Sequence, residues 1–195
     1  MTEVVLASGS PSRLDLLRRA GIEPTVIVSG ADETALPGEA PHDLVVRLAE
    51  AKAKTVSLQV KQGVVIGCDS LLELDGIAHG KPGRPQPAIE LWQHMSGRKG
   101  TFHTGHCLID AATQRTVTGL CSTIVTFGTP TQAEITDYIA TGEPLAVAGA
   151  FKISHKGGWF VDNAEGDPGN LQGISLPLVR RLLHQLGWNV TRLWA

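Results

Sequence analysis

Seven side chains in the first half of the chain have the types needed to hold a phosphate ester and the cation that travels with it: Ser8, Ser10, Arg13, Glu33, Lys52, Asp69 and Lys81. Ser8 and Ser10 offer hydroxyls in the run Ser8-Gly9-Ser10-Pro11, and Arg13 offers a fork of N–H groups matched to phosphate oxygens. Asp69 follows the apolar run Val64–Cys68, a position suited to holding Mg²⁺ or activating water. Glu33, or Asp32 beside it, would complete a hard-oxygen set with phosphate oxygens and water. Lys52 and Lys81 are point charges for the same anion, and Lys81 sits in a Gly-Lys-Pro corner. Four have a plainer use: an N-cap for Ser10, a turn for Asp69, a solvated loop for Glu33, and a lysine snorkelling from the core for Lys52.

These residues need elements to position them. Val4–Ala7 reads as a buried strand, and the loop after it opens a helix with Pro11 at its first position. Strand, small-residue loop and helix N-terminus together make an anion site of exposed N–H groups. Thr25–Val28 is a second predicted strand, followed by a polar loop over residues 30–41 and a helix over His42–Val56. Val64–Cys68 is predicted to end at Asp69-Ser70, and Asp75-Gly76 marks a hairpin. A helix over Pro87–Met95 precedes strands at Thr101–Asp110 and Thr116–Phe127. Arg98 follows that helix and can neutralise its negative end. Thr131 and Glu134 form a capping box for a further helix. Gly142–Gly173 reads as short strands and loops, Pro177–Leu186 as the last helix, and Trp188–Leu193 as a final strand.

The bulk numbers narrow the function classes. The chain has 195 residues, 42% hydrophobic, with a formal net charge of −2. That charge supplies no polycation for nonspecific nucleic-acid binding. No apolar run approaches the roughly 20 residues of a membrane span, and no signal peptide is visible. Cys68, Cys107 and Cys121 are odd in number and lack a CxxC pair, as expected of a reduced, cytoplasmic protein. His103 and His106 lie at i, i+3 in a predicted strand, which argues against shared metal ligation. No Walker loop, GxGxxG or Gly-x-Ser-x-Gly elbow is present.

The motifs, in order, resemble the Maf family of nucleoside triphosphate pyrophosphatases over almost the whole chain. They are LASGSPSR at 6–13, ADE at 31–33, RLAEAKA at 47–53, GCDSLLELDG at 67–76, GKP at 80–82, MSGR at 95–98 and HTGHCLID at 103–110. GEP at 142–144, AGAF at 148–151 and the Gly-x-x-x-Asn-Leu-x-Gly stretch at 166–173 follow. The resemblance implies a single domain over 1–195. Its fold would be a two-lobed, mixed-sheet α/β fold with a central cleft, similar to inosine triphosphate pyrophosphatases. It implies hydrolysis of nucleoside triphosphates, non-standard or modified ones, to monophosphate and pyrophosphate. It also implies a divalent cation (Mg²⁺ or Mn²⁺), a homodimer, and no nucleic-acid or membrane partner.

Position by position, Asp69 matches the family's catalytic acid and Glu33 an acid that helps hold the metal. Ser8, Ser10, Arg13, Lys52 and Lys81 match groups lining the phosphate site. Ser12, Ser70 and Ser154 match positions linked to choice of base. All three are serine here, which fits neither the dTTP/UTP-preferring nor the 7-methyl-GTP-preferring pattern. Ala146-Val147 stands where many members have Asp-Lys, and Gly100 where His is frequent. The resemblance also carries an alternative, a non-catalytic nucleotide-sensing regulator of septum formation. A nucleotidyl or sugar-nucleotide transferase is a third class, distinguished by its need for an acceptor.

Overall fold

A computed structural model describes residues 4–195. Five α-helices and seven strands are found among them: β1 (Val4–Leu6), α1 (Pro11–Arg19), β2 (Thr25–Val26), α2 (Pro41–Ser57), β3 (Val64–Leu74), β4 (Ile77–His79), α3 (Pro85–Met95), β5 (Lys99–Asp110), β6 (Thr116–Phe127), α4 (Gln132–Ala140), β7 (Val161–Glu165) and α5 (Leu176–Gln185). The protein is therefore mixed α/β. It divides into two compact units. Among the described residues, 4–69, Thr104–Cys121 and Gly173–Ala195 form one, and Ser70–His103 with Ser122–Gln172 forms the other.

In the first unit β1 lies between β2 and β3, parallel to both, with Leu6 opposite Val26 and Ile66. Both faces of this sheet are covered, as a parallel sheet requires. Leu6, Ile66 and Leu108 meet Leu17 of α1 and Leu178, Leu182 and Leu183 of α5 on one face. Val5, Val65, Cys107 and Ile109 meet Ala49, Ala53 and Val56 of α2 on the other. Alternation along β1 and β3 thus builds two cores from one set of strands.

In the second unit β3 turns through Asp75-Gly76 into β4, with Leu74 opposite Ile77. Asp75 and Gly76 both have positive φ, 51° and 77°, as a tight hairpin turn demands. β7 adds to β6 antiparallel, with a bulge at Thr126/Phe127. α3 and α4 pack around Trp92, whose ring meets Phe127, Tyr138 and Phe160 edge-on at 5.9, 5.7 and 5.6 Å. Its indole N–H donates to the Ala150 carbonyl at 2.8 Å, so the buried ring carries no unmet donor.

Two expectations are corrected. β3 does not stop at Asp69 but runs unbroken from Val64 to Leu74. What ends near there is its parallel partner, since β1 pairs only as far as Ile66. Asp69 therefore projects from a strand that has outrun its neighbour. The segment Trp188–Leu193 is not a strand: Asn189 accepts from the Thr191 N–H at 3.0 Å and starts a 3-10 turn over Val190–Arg192. Trp188 is held by its indole N–H on Asp110 Oδ2 at 2.9 Å.

Candidate functional site

The loop between β1 and α1 is tied together by its own side chains. Ser10 is the N-cap of α1, and Pro11 takes the first position. Ser8 Oγ accepts from the Ser10 N–H at 3.2 Å and from Arg13 Nη1 at 2.9 Å. With both acceptor positions used, Ser8 keeps its O–H to donate. Arg13 is only 8% exposed, and its Nε donates to the Gly173 carbonyl at 2.7 Å. Gly173 has φ +91°, and a Cβ there would meet Arg13 Nε at 3.0 Å, so a side chain would push the guanidinium out of plane. Ser12 is half-buried on the first turn of α1.

The second part of the site is an acid–lysine–acid cluster. Lys52 Nζ lies 2.5 Å from Asp69 Oδ1 and 2.6 Å from Glu33 Oε1. The Lys52 and Asp69 side chains are 9% and 14% exposed, while Glu33 is 59% exposed and opens the cluster to solvent. Sequence reasoning named all three; the structure brings them onto one nitrogen. Cys68, the residue before Asp69, is buried, and that burial pushes its thiol up to about 11. It is a packed thiol and not a nucleophile at neutral pH.

Three supports of this cluster escaped the sequence reading. A Cβ on Gly67 of β3 would collide with the Ala49 carbonyl of α2, and one on Gly105 of β5 with the Val45 carbonyl. The two glycines let α2 lie directly on the strands, which is how Lys52 comes within reach of Asp69. The signal was there, since an isolated glycine in a strand often marks close backbone approach. The third support is Arg47, one face of α2 away from Lys52. It donates to Glu39 at 2.5 and 2.7 Å and to the Thr34 carbonyl at 3.0 Å, gathering the loop that carries Glu33. Arg47 holds the Glu39 carboxyl down at about 2.

Lys81, Ser70, Ser154 and Arg98 belong to the second unit. Lys81 is exposed on the loop after β4, whose backbone is pinned by Gly149 N–H to Gly80 O (3.1 Å) and Gly83 N–H to Leu145 O (3.0 Å). Ser70 is half-buried in β3. Ser154 is exposed, and its hydroxyl lies 3.0 Å from His155 Nδ1. Of the two histidines, His106 is fully buried in the first unit, accepting from the Ser175 N–H at 2.9 Å at the start of α5. Arg98 forms a bidentate pair with Asp75 at 2.6 and 2.9 Å and donates to the His94 carbonyl in the last turn of α3 at 3.3 Å, so it meets both the β3–β4 turn and the helix end.

By fold this is a mixed α/β protein, and by side chains one that gathers two carboxylates on a buried lysine and an arginine on a serine loop. The chain belongs to the Maf family: the model for Maf-like proteins matches residues 3–186. A relative from Streptomyces avermitilis is 52% identical over 193 residues, covering 98% of this chain and 94% of its own. One from Mycobacterium sp. (strain JLS) is 51% identical over 206 residues, covering 99% and 98%. Both are named nucleoside triphosphate pyrophosphatase. Among solved structures, the Staphylococcus aureus Ham1 protein aligns with a TM-score of 0.45 at 17% identity, over 65% of this chain and 72% of its own.

Proposed function

We propose that the chain, acting as one domain, hydrolyses nucleoside triphosphates to monophosphate and pyrophosphate, with modified or non-standard nucleotides as its substrates. The observation that carries this reading is the meeting of Glu33, Lys52 and Asp69 in the same unit as the Ser8–Arg13 loop. Hydrolysis at the α-phosphorus needs an acceptor for the water's proton and positive charge on the departing pyrophosphate. Asp69 supplies the acceptor. Lys52 and Arg13 supply charge, and the Ser8 and Ser10 hydroxyls orient phosphate oxygens; Lys81 is assigned to the phosphate on the family pattern.

The donor set fits a divalent cation. Two carboxylates already converge on one ammonium nitrogen, and no third His, Cys, Asp or Glu joins them among the described residues. Mg²⁺ and Mn²⁺ sites of this kind take one or two carboxylates and complete the shell with water and phosphate. When bound, the cation would neutralise phosphate charge and fix the oxygens beside Asp69. Lys52 holds the two carboxylates together on the oxygens that such a cation would share. Ser12, Ser70 and Ser154 are assigned to base choice on the family pattern. A cytoplasmic homodimer completes the reading, and light scattering on the purified chain tests the dimer.

The deciding experiment is a product assay on canonical-base, methylated and deaminated nucleoside triphosphates with Mg²⁺ or Mn²⁺. Wild-type protein is expected to release monophosphate and pyrophosphate without an acceptor, and Asp69→Asn to lose at least about 100-fold in kcat. Folded protein without turnover on any substrate would instead favour a nucleotide-sensing regulator.

A further inference from the structure

The second unit holds a hydrogen-bonded chain that the pyrophosphatase reading does not use. Glu73 of β3, His103 of β5 and Ser122 of β6 belong to adjacent strands of one sheet. His103 Nε2 lies 2.8 Å from Glu73 Oε2, and His103 Nδ1 lies 2.8 Å from Ser122 Oγ. The His103 side chain is 9% exposed and Glu73 28%, while Ser122 is exposed. An acid, an imidazole and an accessible hydroxyl thus stand in line, with the hydroxyl at the solvent end.

The tautomer follows from the partners. A carboxylate can only accept, so the proton sits on Nε2 and points at Glu73. That leaves the Nδ1 lone pair facing the Ser122 O–H, the arrangement of a serine activated by a base that a third group orients. The ring is used the other way round from the serine-protease order, but either nitrogen can take the proton. Two residues further along the same face of β6, Ile124 is 40% exposed and offers an apolar contact for a reactant's alkyl group.

We propose that Ser122 is an activated nucleophile, deprotonated by His103 with Glu73 as the positioning residue, and that it reacts with activated esters of phosphorus or carbon. With a fluorophosphonate, Oγ attacks phosphorus and the P–F bond breaks. Fluoride leaves with the electron pair, the hydroxyl proton passes to His103, and solvent then removes it. With a carboxylic ester, the acyl carbon takes the place of phosphorus and the alcohol leaves, carrying that proton. The three residues include no donor pair for an oxyanion, a contribution of about 100-fold or more in serine hydrolases. The inference is therefore covalent capture of activated reagents, not rapid turnover.

The test uses the full chain with an alkyl fluorophosphonate and peptide mass spectrometry. Expected is a single adduct on Ser122, absent in Ser122→Ala and formed about 100-fold more slowly in His103→Gln. Labelling by wild type rises with pH through one ionisation and levels off; in His103→Gln that inflection disappears. A merely structural histidine would not move it. Asp69→Asn still labels at the wild-type rate, separating this site from the pyrophosphatase reaction. Circular dichroism confirms that each variant is folded. No adduct on folded wild-type protein, an adduct elsewhere, or a rate indifferent to His103→Gln would each overturn the proposal.

Discussion

Lys52 stands between Glu33 and Asp69 in the position to which a divalent cation would be drawn by the same oxygens. Lysine and metal are then partial competitors. Replacing Lys52 with Met leaves the largely buried Asp69 carboxylate without its cation, at a cost of roughly 1–3 kcal/mol. Mn²⁺ is expected to restore part of that loss, so its thermal shift is larger in Lys52→Met than in wild type, while kcat falls. An equal shift in both proteins would sink the competition. The thiols give a second prediction. Burial pushes Cys68 up to about 11 and Cys107 to about 12, from an ordinary 9.0. A raised acid favours its protonated form in the folded state, so this stability is complete below pH 9 and is lost as pH rises toward 11. At neutral pH a thiol reagent should titrate half-buried Cys121 first and reach the other two only on unfolding. The types of Glu33, Lys52 and Asp69 were legible in sequence because few residues bind cations and phosphates. Their contact distances were not. Arg13 shows why: its carbonyl partner, Gly173, is 160 residues away, beyond any local pattern.

Among the elements, α2 matters most to the site, since it presents both Lys52 and Arg47. Gly67→Ala would force it off β3, and overpacking of this kind costs about 1–3 kcal/mol. Activity is expected to fall further than stability, because Lys52 moves with the helix; urea midpoints and kcat on the same variant separate the two. The loop before α2 has its own pH dependence. Arg47 lowers the Glu39 carboxyl from 4.5 to about 2. A depressed carboxyl contributes stability that is present above pH 4.5 and lost as pH falls toward 2. Arg47→Met should flatten that limb of the stability profile in urea titrations. Most elements were readable in advance. The capping box at Thr131 and Glu134 forms as expected, because both its hydrogen bonds are local. The continuity of β3 through Asp69 was hidden, since a charged residue in an apolar run reads as an end. Trp188–Leu193 has strand-like residues, but a side-chain cap at Asn189 turns the backbone into a 3-10 turn.

For the whole molecule, the chain passes between its two units inside β3, β5 and β6, at 69/70, 103/104 and 121/122, and again at 172/173. Three backbone strands therefore run through both units. Melting one unit would strip the ladders that continue into the other, so a single cooperative transition is expected. Trp92 reports the second unit and Trp188 the first. Single-tryptophan variants of each should give coincident denaturation midpoints; separated midpoints would show that the units unfold independently. The two-unit division itself was not visible in composition, because no linker separates them and each unit is assembled from discontinuous segments.

The bond from Arg13 to the Gly173 carbonyl also orders events in time. A ribosome delivers the serine loop first and its closing carbonyl far later. Until the segment from Gly173 onward has emerged, the guanidinium lacks that acceptor and α5 is missing from the face of the sheet that it covers. A nascent chain therefore carries every acid and base of its candidate site well before it can hold them in place. The arrangement of that candidate site is therefore complete only after translation has passed the last of its structural keystones.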